Sequence, residues 1–313
     1  MVASAGITMI AALAGGVGAA RFLTGLVELV DEKEMSVIVN TGDDIELFGL
    51  HVSPDVDIVT YTLAGVVDEA KGWGVKGDTF YCLEALGQLG QERWFALGDR
   101  DLATHIFRTA LLKKGWTLSE VTAEVARALG LGVSILPMTD DKFETRIVTK
   151  DGSIHFQEYL VKRGAKDEVL GVEFFGADAA KPAAGVIEAI MGADLVVVCP
   201  SNPVVSIGAI LAVDGVRDVL KRTGARKVAV SPIVGGAPVK GPADKLMKGV
   251  GLEVSAYSVA RLYADFVDTF VVDIVDAADK ARIEELGVEV KVVNTLMRRL
   301  EDKVQLARAV LDC

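Results

Sequence analysis

With 313 residues, 51% of them hydrophobic and 25% charged, the chain has globular composition and room for one large α/β domain or two smaller ones. A formal charge of −11 argues against a nucleic-acid surface, which needs a basic face, and means that a phosphorylated ligand must be held by backbone amides, a few placed cations or a metal ion. Cys82, Cys199 and Cys313 spell neither a disulfide framework nor a CxxC metal site, no apolar run reaches the roughly 20 residues of a membrane span, and the N-terminus lacks a basic signal-peptide start. The expectation is a cytoplasmic protein with no nucleic-acid or membrane partner.

The apolar run Ile7 to Ala14 leads into Gly15-Gly16-Val17-Gly18-Ala19-Ala20-Arg21 and then a helical stretch from Phe22 to Val27. Strand, glycine turn and helix aim free backbone N–H groups and a helix N-terminus at one spot, and that spot attracts phosphate. A tight turn without a ligand is the plainer alternative. The loop lacks the Lys-Ser/Thr ending of a Walker A loop, and Arg21 stands where a dinucleotide fold has a third Gly or Ala. The second apolar run, Met35 to Val39, ends in Asn40-Thr41-Gly42-Asp43-Asp44, at a distance that suits one βαβ unit. The adjacent acids read either as a helix cap or solvated turn, or as a pair that binds Mg²⁺ or hydroxyls beside the phosphate loop.

In Ser53-Pro54-Asp55-Val56-Asp57, Pro54 rules out a regular helix there, and Asp55 and Asp57 share a face only if the segment is extended. After Tyr61 to Val67 and the unusual Lys71-Gly72-Trp73-Gly74, apolar spacing predicts helices over 79–89, 102–113 and 118–129, the last capped by Thr117 or Ser119. Trp94 to Asp101 (WFALGDRD) lies between the first two. Its alternating charges suit a solvated turn, and its two aromatics suit a wall for a flat ligand. Period-2 character marks 133–138, 144–149 and 154–160, with Asp151-Gly152 as a hairpin turn. His155 in that hairpin reads as structural. His51 and His105 are isolated, and no zinc spacing is present.

The parallel-sheet pattern then returns. Helix 183–190 precedes strand 194–199 (DLVVVC) and the loop Pro200 to Gly208. Helix 216–222 and strand 228–231 lead to Pro232 to Pro238 (PIVGGAP). Helices near 244–248 and 254–263, strands 269–274 and 288–293, and a helix from Leu296 finish the chain. The fold class is α/β, with a Rossmann-like, mostly parallel sheet, a helical insertion and a small β-hairpin region. Four polar or glycine-rich loops each follow the carboxyl end of an apolar strand, the edge where open α/β sheets bind ligands.

The ordered motifs GGVGAAR, NTGDD, SPDVD, GWG, WFALGDRDLATH, ILPMTDD, IHFQEY, PSNPVVSIG and SPIVGGAPVKGPADK together resemble the 2-phospho-lactate transferase family of coenzyme F420 biosynthesis, from about Gly15 to about Ser258. The resemblance implies transfer of a phospho-C3-acid group, 2-phospho-L-lactate or phosphoenolpyruvate, from its guanosine diphosphate conjugate. The acceptor is the ribityl hydroxyl of 7,8-didemethyl-8-hydroxy-5-deazariboflavin, and GMP is released. It also implies that Gly15, Gly16 and Gly18 hold the diphosphate. Ser201, Asn202, Ser206 and Gly208 face the nucleotide, and Gly235 and Gly236 close the site. Asp43 and Asp44 bind Mg²⁺, Asp57 contacts the deazaflavin, and Phe95 and Ala96 line its pocket. Some family members carry a basic residue at position 96, so any charge contact there is lost.

On this view residues 1–313 are one domain. Residues 1–61 and 183–313 form the nucleotide-binding core, and 62–182 form an insertion on the acceptor side. Phosphoryl-transfer chemistry implies in-line attack on the donor's distal phosphorus, with Asp57 or Asp44 accepting the hydroxyl proton and Asp43 and Asp44 also catalytic through the metal. A homodimer is left open. Two other readings stay beside this one: an NAD(P)-dependent oxidoreductase, weakened by Arg21 and the missing catalytic His or Lys, and a noncatalytic nucleotide-sugar-binding regulator.

Overall fold

The computed structural model describes residues 7–313; the reading of the extreme N-terminus concerns residues 1–6, which lie outside it. Seven strands form the central sheet: β1 Ile10–Ala14, β2 Met35–Val39, β3 Ser134–Pro137, β4 Leu195–Val198, β5 Arg226–Val230, β6 Thr269–Asp273 and β7 Glu289–Val293. Their order is β7-β6-β5-β4-β1-β2-β3, and each neighbouring pair is parallel. A parallel sheet is covered on both faces, which is why IAALA, MSVIV and LVVV read as continuous apolar runs rather than alternating ones. Ala11, Leu13, Ile38, Val196 and Val198 face one core layer, while Ile10, Ala12, Ala14, Val37, Val39, Leu195 and Val197 face the other. Burying each Leu, Ile or Val contributes roughly 1.5–3 kcal/mol.

β1 sits between β2 and β4, with Leu13 level with both Ile38 and Val198. The strand order reverses direction here, so the loops after β1 and β4 diverge and leave a crevice at their carboxyl ends. Helix Gly16–Leu26 follows β1 directly and packs on helix Leu300–Leu311. An antiparallel sheet of Glu144–Thr149, Gly152–His155 and Gly171–Phe175, and helices Tyr81–Gln88, Asp99–Leu112 and Leu118–Ala128, make up the inserted part.

The structure departs from the sequence reading at several points. Pro54 opens a helix, Pro54–Leu63, at its first position, where a missing N–H is not needed and φ is already helical. Ser134–Pro137 joins the central sheet beside β2 rather than the hairpin region; an edge strand with one exposed face alternates just as a hairpin strand does. The hairpin strand ends at His155, and Glu158–Lys162 is a π-helical turn. The PSNPVVSIG segment contains a short helix, Ile207–Ala212, and the C-terminal helix begins at Leu300. Thr117 caps Leu118–Ala128 through a capping box with Glu120, as read.

A Cβ on Gly25 would lie 2.3 Å from the Lys303 backbone, so this glycine sets the approach of the first helix to the last. Gly25→Ala should lower stability by about 1–3 kcal/mol through overpacking, outweighing the roughly 1 kcal/mol of helix propensity it gains. Urea denaturation checks this; an unchanged or higher midpoint contradicts it.

Candidate active site

A cavity of about 530 Å³ opens where the loops after β1, β2, β4 and β5 meet. Gly15, Gly16, Val17 and Gly18 form its floor, at the N-terminus of helix Gly16–Leu26. Gly16 has φ +69°, a conformation L side chains rarely adopt. A Cβ on Gly15 would lie 2.5 Å from Ser206 Cβ and 2.8 Å from Asp55 Oδ2, and one on Gly18 would lie 2.2 Å from the Pro200 carbonyl oxygen. The glycines are therefore required twice, by the turn and by the close approach of the loop after β4. Ser201 Oγ accepts a hydrogen bond from Gly15 N–H at 3.1 Å, tying the two loops across the switch point. Ser201, Asn202 and Ser206 border the cavity. Asn202 Oδ1 accepts from the N–H groups of Val204 and Val205, so this side chain also shapes its own loop.

Gly208, Gly235 and Gly236, expected on the nucleotide side, do not border the cavity. Gly208 packs inside its short helix against the Pro203 carbonyl and Phe174. Gly235 and Gly236, at φ +59° and +75°, form the turn of a hairpin between Ile233–Val234 and Ala237–Pro238. Two-residue hairpin loops demand that backbone, and Gly235 N–H is pinned to the Asp276 carboxylate. The same loop reaches the cavity through Ser231, Pro232 and the stretch from Pro238 to Ala243.

The carboxylates divide into two groups. Asp43, Asp44 and Asp55 are buried around Asn40, whose Nδ2 donates to Asp55 Oδ2 at 2.9 Å while its Oδ1 accepts from Gly42 N–H. Burial pushes the Asp55 carboxyl up to about 6, with the Asp44 charge adding to the shift and hydrogen bonds from Asn40 and Gly16 opposing it. Burial, followed by the Asp55 charge, holds Asp43 well above the usual carboxylate range. Asp43 and Asp55 border the cavity; Asp44 lies behind them, with His51 Nε2 2.8 Å away and Ser53 Oγ donating to it at 2.7 Å. His155, whose Nε2 lies 3.0 Å from the Asp44 carbonyl oxygen, is structural, as read. Because Pro54–Leu63 is helical, Asp55 and Asp57 point to different neighbours rather than sharing one face.

Asp57 is engaged by Arg108, which donates to Oδ2 at 3.1 Å and also bonds Oδ1. Arg108 is 1% exposed and also lies 3.2 Å from His105 Nδ1. His105 Nε2 is 3.3 Å from Asp101 Oδ1, which accepts from the Tyr61 hydroxyl at 2.9 Å. Burial pushes that hydroxyl's pKa up, so it remains a donor. Asp57, Tyr61, Asp101 and His105 all border the cavity, so His105 is not isolated. Its spacing to Asp101 and Arg108, four and three residues along one helix, is the signal that reveals the cluster. No local signal pairs Asp57 with Arg108, 51 residues away.

Above these acids the wall is apolar: Trp73, Trp94, Phe95, Ala96, Leu160 and Val161. Trp94 and Phe95 meet edge to face, with centroids 5.6 Å apart. The charges that follow resolve into helix caps. Asp78 accepts from the N–H groups of Arg100 and Asp101, and Asp99 accepts from those of Tyr81 and Cys82.

Two buried oxygens, Asp43 Oδ1 and Asp44 Oδ1, lack a hydrogen-bond partner. With Asp55 adding a third charge, this donor set fits a divalent cation that prefers oxygen. Among the described residues no cluster of three or more His, Cys, Asp or Glu could hold a metal. A carboxylate pair completed by phosphate oxygens and water, the usual Mg²⁺ arrangement, is consistent with that. No helix among the described residues is long and apolar enough to cross a membrane.

Residues 10–306 match the family model for 2-phospho-L-lactate transferase CofD. A phosphoenolpyruvate transferase of Streptomyces griseus is 48% identical over 309 residues, covering 97% of each chain. A 2-phospho-L-lactate transferase of Methanocaldococcus jannaschii is 44% identical over 310 residues, covering 98% of each. The fold is also similar to the crystal structure of an upf0052 family protein from Bacillus halodurans, with TM-score 0.67 at 18% identity over 97% of this chain and 99% of that one.

Asp57→Ala strands the buried Arg108 guanidinium, and breaking a buried pair costs about 3–5 kcal/mol. Adding Arg108→Met should recover most of that loss. Chemical denaturation of the single and double variants checks it; a single variant as stable as the parent, or a double variant no better than the single, contradicts the buried-pair reading.

Proposed function

The chain belongs to the 2-phospho-L-lactate transferase CofD family, an enzyme family of coenzyme F420 biosynthesis, and we propose how its cavity carries out that transfer. It moves a phospho-C3-acid group from a guanosine diphosphate conjugate to the ribityl hydroxyl of the deazaflavin. The observation that carries this reading is that one cavity is lined by two unlike sets of residues. A glycine loop at a helix N-terminus suits a diphosphate. An apolar wall with Trp73, Trp94 and Phe95 suits a flat tricycle. Between them lie Asp43, Asp55 and Asp57.

The diphosphate lies on Gly15, Gly16 and Gly18, with Ser201, Asn202 and Ser206 toward the nucleoside. Asp57 faces the ribityl chain. Each carboxylate oxygen has two lone pairs, so Asp57 still accepts from the hydroxyl while Arg108 fixes its direction. The hydroxyl oxygen bonds to the distal phosphorus, the bond from that phosphorus to the bridging oxygen breaks, and the bridging oxygen leaves with GMP. The hydroxyl proton passes to Asp57, a role for which Asp44, behind the cavity, is badly placed. Mg²⁺, held by Asp43 with Asp44 or Asp55, would neutralise charge on the diphosphate. The carboxylates repel a diphosphate on their own, so such a cation suits them both. The reaction runs in the cytoplasm, and one chain supplies every residue named, so a homodimer is not needed for the chemistry.

The test supplies the deazaflavin and Mg²⁺ with each donor in turn, the lactyl and the enolpyruvyl conjugate, and follows GMP by mass spectrometry. One GMP should appear per deazaflavin consumed, and no GMP from either donor rejects the reading. Asp43→Asn should lower turnover by about 10²-fold or more and shift its Mg²⁺ dependence to higher concentration. Full activity with an unchanged metal response removes Asp43 from the metal site.

A further inference from the structure

Arg21 occupies the position where a dinucleotide loop carries its third small residue, and the fold explains why it is free to do so. Close helix packing is supplied one turn later by Gly25, against the Lys303 backbone. Arg21 follows Val17 by four residues and therefore shares its face, and helical side chains lean toward the helix N-terminus. That face carries Arg21 to the cavity, which it borders together with the glycine loop. One nitrogen donates to the Met297 carbonyl, which anchors the side chain and leaves most of its five donors for other partners.

Lys240 borders the same part of the cavity, and its charged neighbour is Arg21. Burial and that like charge lower its pKa. Gly72 leaves room for it: a Cβ there would lie 2.7 Å from Lys240 Nζ and 4.0 Å from Val17, and Gly72 has φ +74°. Arg21, anchored, and Lys240, given space by a glycine, make a local positive patch lining the cavity of a chain of net charge −11, and an anion between them would relieve their mutual repulsion.

We propose that Arg21 and Lys240 form a second anion seat beside the diphosphate loop, and that it takes the carboxylate of the donor's C3 acid. The inference rests on the transferase reading above. On that reading the diphosphate is held at the helix N-terminus by the N–H groups of Val17 and Gly18, since those of Gly15 and Gly16 bond Ser201 and Asp55, and the carboxylate is the donor's remaining anion. It lies three bonds from the distal phosphorus, and Arg21 lies about 4.5 Å along the helix axis from Gly18. A guanidinium presents two parallel N–H groups to a carboxylate, and an ammonium adds a point charge. Lactyl and enolpyruvyl acids carry this group at the same place, so the seat grips either.

The test compares three ligands on the parent and on Arg21→Gln, Lys240→Gln and Lys240→Arg: GDP, the donor, and GDP esterified with ethanol, which lacks the carboxylate. Calorimetry should show GDP and the ethyl ester binding within about threefold of the parent on every variant, while donor affinity falls about tenfold or more on the two Gln variants and is partly kept by Lys240→Arg. Equal losses for GDP or the ethyl ester would assign the cations to the diphosphate and overturn the proposal. An unchanged donor affinity would overturn it too. Half-exposed Lys240 tolerates substitution without loss of fold, so it decides the matter even if Arg21→Gln is unstable. Absence of turnover by the parent would count against the transferase reading instead, because the binding comparison reads the seat without turnover.

Discussion

The arrangement depends on mutual repulsion held in place by burial. Asp43, Asp44 and Asp55 are packed around one asparagine, next to a glycine loop built to receive an anion. In the free protein burial makes Asp43 and Asp55 resist ionisation, Asp55 being pushed up to about 6. Raising one carboxylate from 3.8 to about 6 corresponds to something on the order of 3 kcal/mol against its charged form. A cation with a diphosphate relieves both problems at once, because the metal offsets the acids and the acids with the metal offset the phosphates. Asn40 holds Asp43 and Asp55 in place, and the loops after β1 and β4 are tied together through Gly15 and Ser201 and through the space missing at Gly18.

The second group of charges is balanced differently. Asp57 and Asp101 are buried with Arg108, His105 and Tyr61, so every charge there meets a protein partner. This cluster lies beneath the aromatic wall and joins helix Pro54–Leu63 to helix Asp99–Leu112. It gives the acceptor side a fixed floor, whereas the nucleotide side keeps its charge for ligands.

The central sheet was legible in the sequence because its strands are buried on both faces and read as apolar runs between glycine or polar loops. Six of the seven central strands were placed correctly, and Ser134–Pro137 was assigned to the wrong sheet. Pro54 misled because a proline that blocks the middle of a helix is welcome at its first turn. Gly235 and Gly236 misled because a hairpin turn and a ligand loop demand the same positive φ. Asp43 and the β4 loop serines border the cavity from strand ends, while Asp57 and Phe95, which the family resemblance pointed to, border it from a helix and from a loop between helices. Asp55, Arg108 and Lys240 were missed, since their partners are distant in sequence and only packing brings them together. The family resemblance supplied the chemistry that composition and spacing did not.

The most direct measurement is a crystal structure of the complex with GDP, Mg²⁺ and the deazaflavin. The account predicts diphosphate oxygens on the N–H groups of Val17 and Gly18, the metal on Asp43, and the tricycle against Trp73 and Phe95 with its ribityl chain toward Asp57. A diphosphate bound away from the glycine loop, or a deazaflavin seated on the Ser201–Ser206 side, would contradict it.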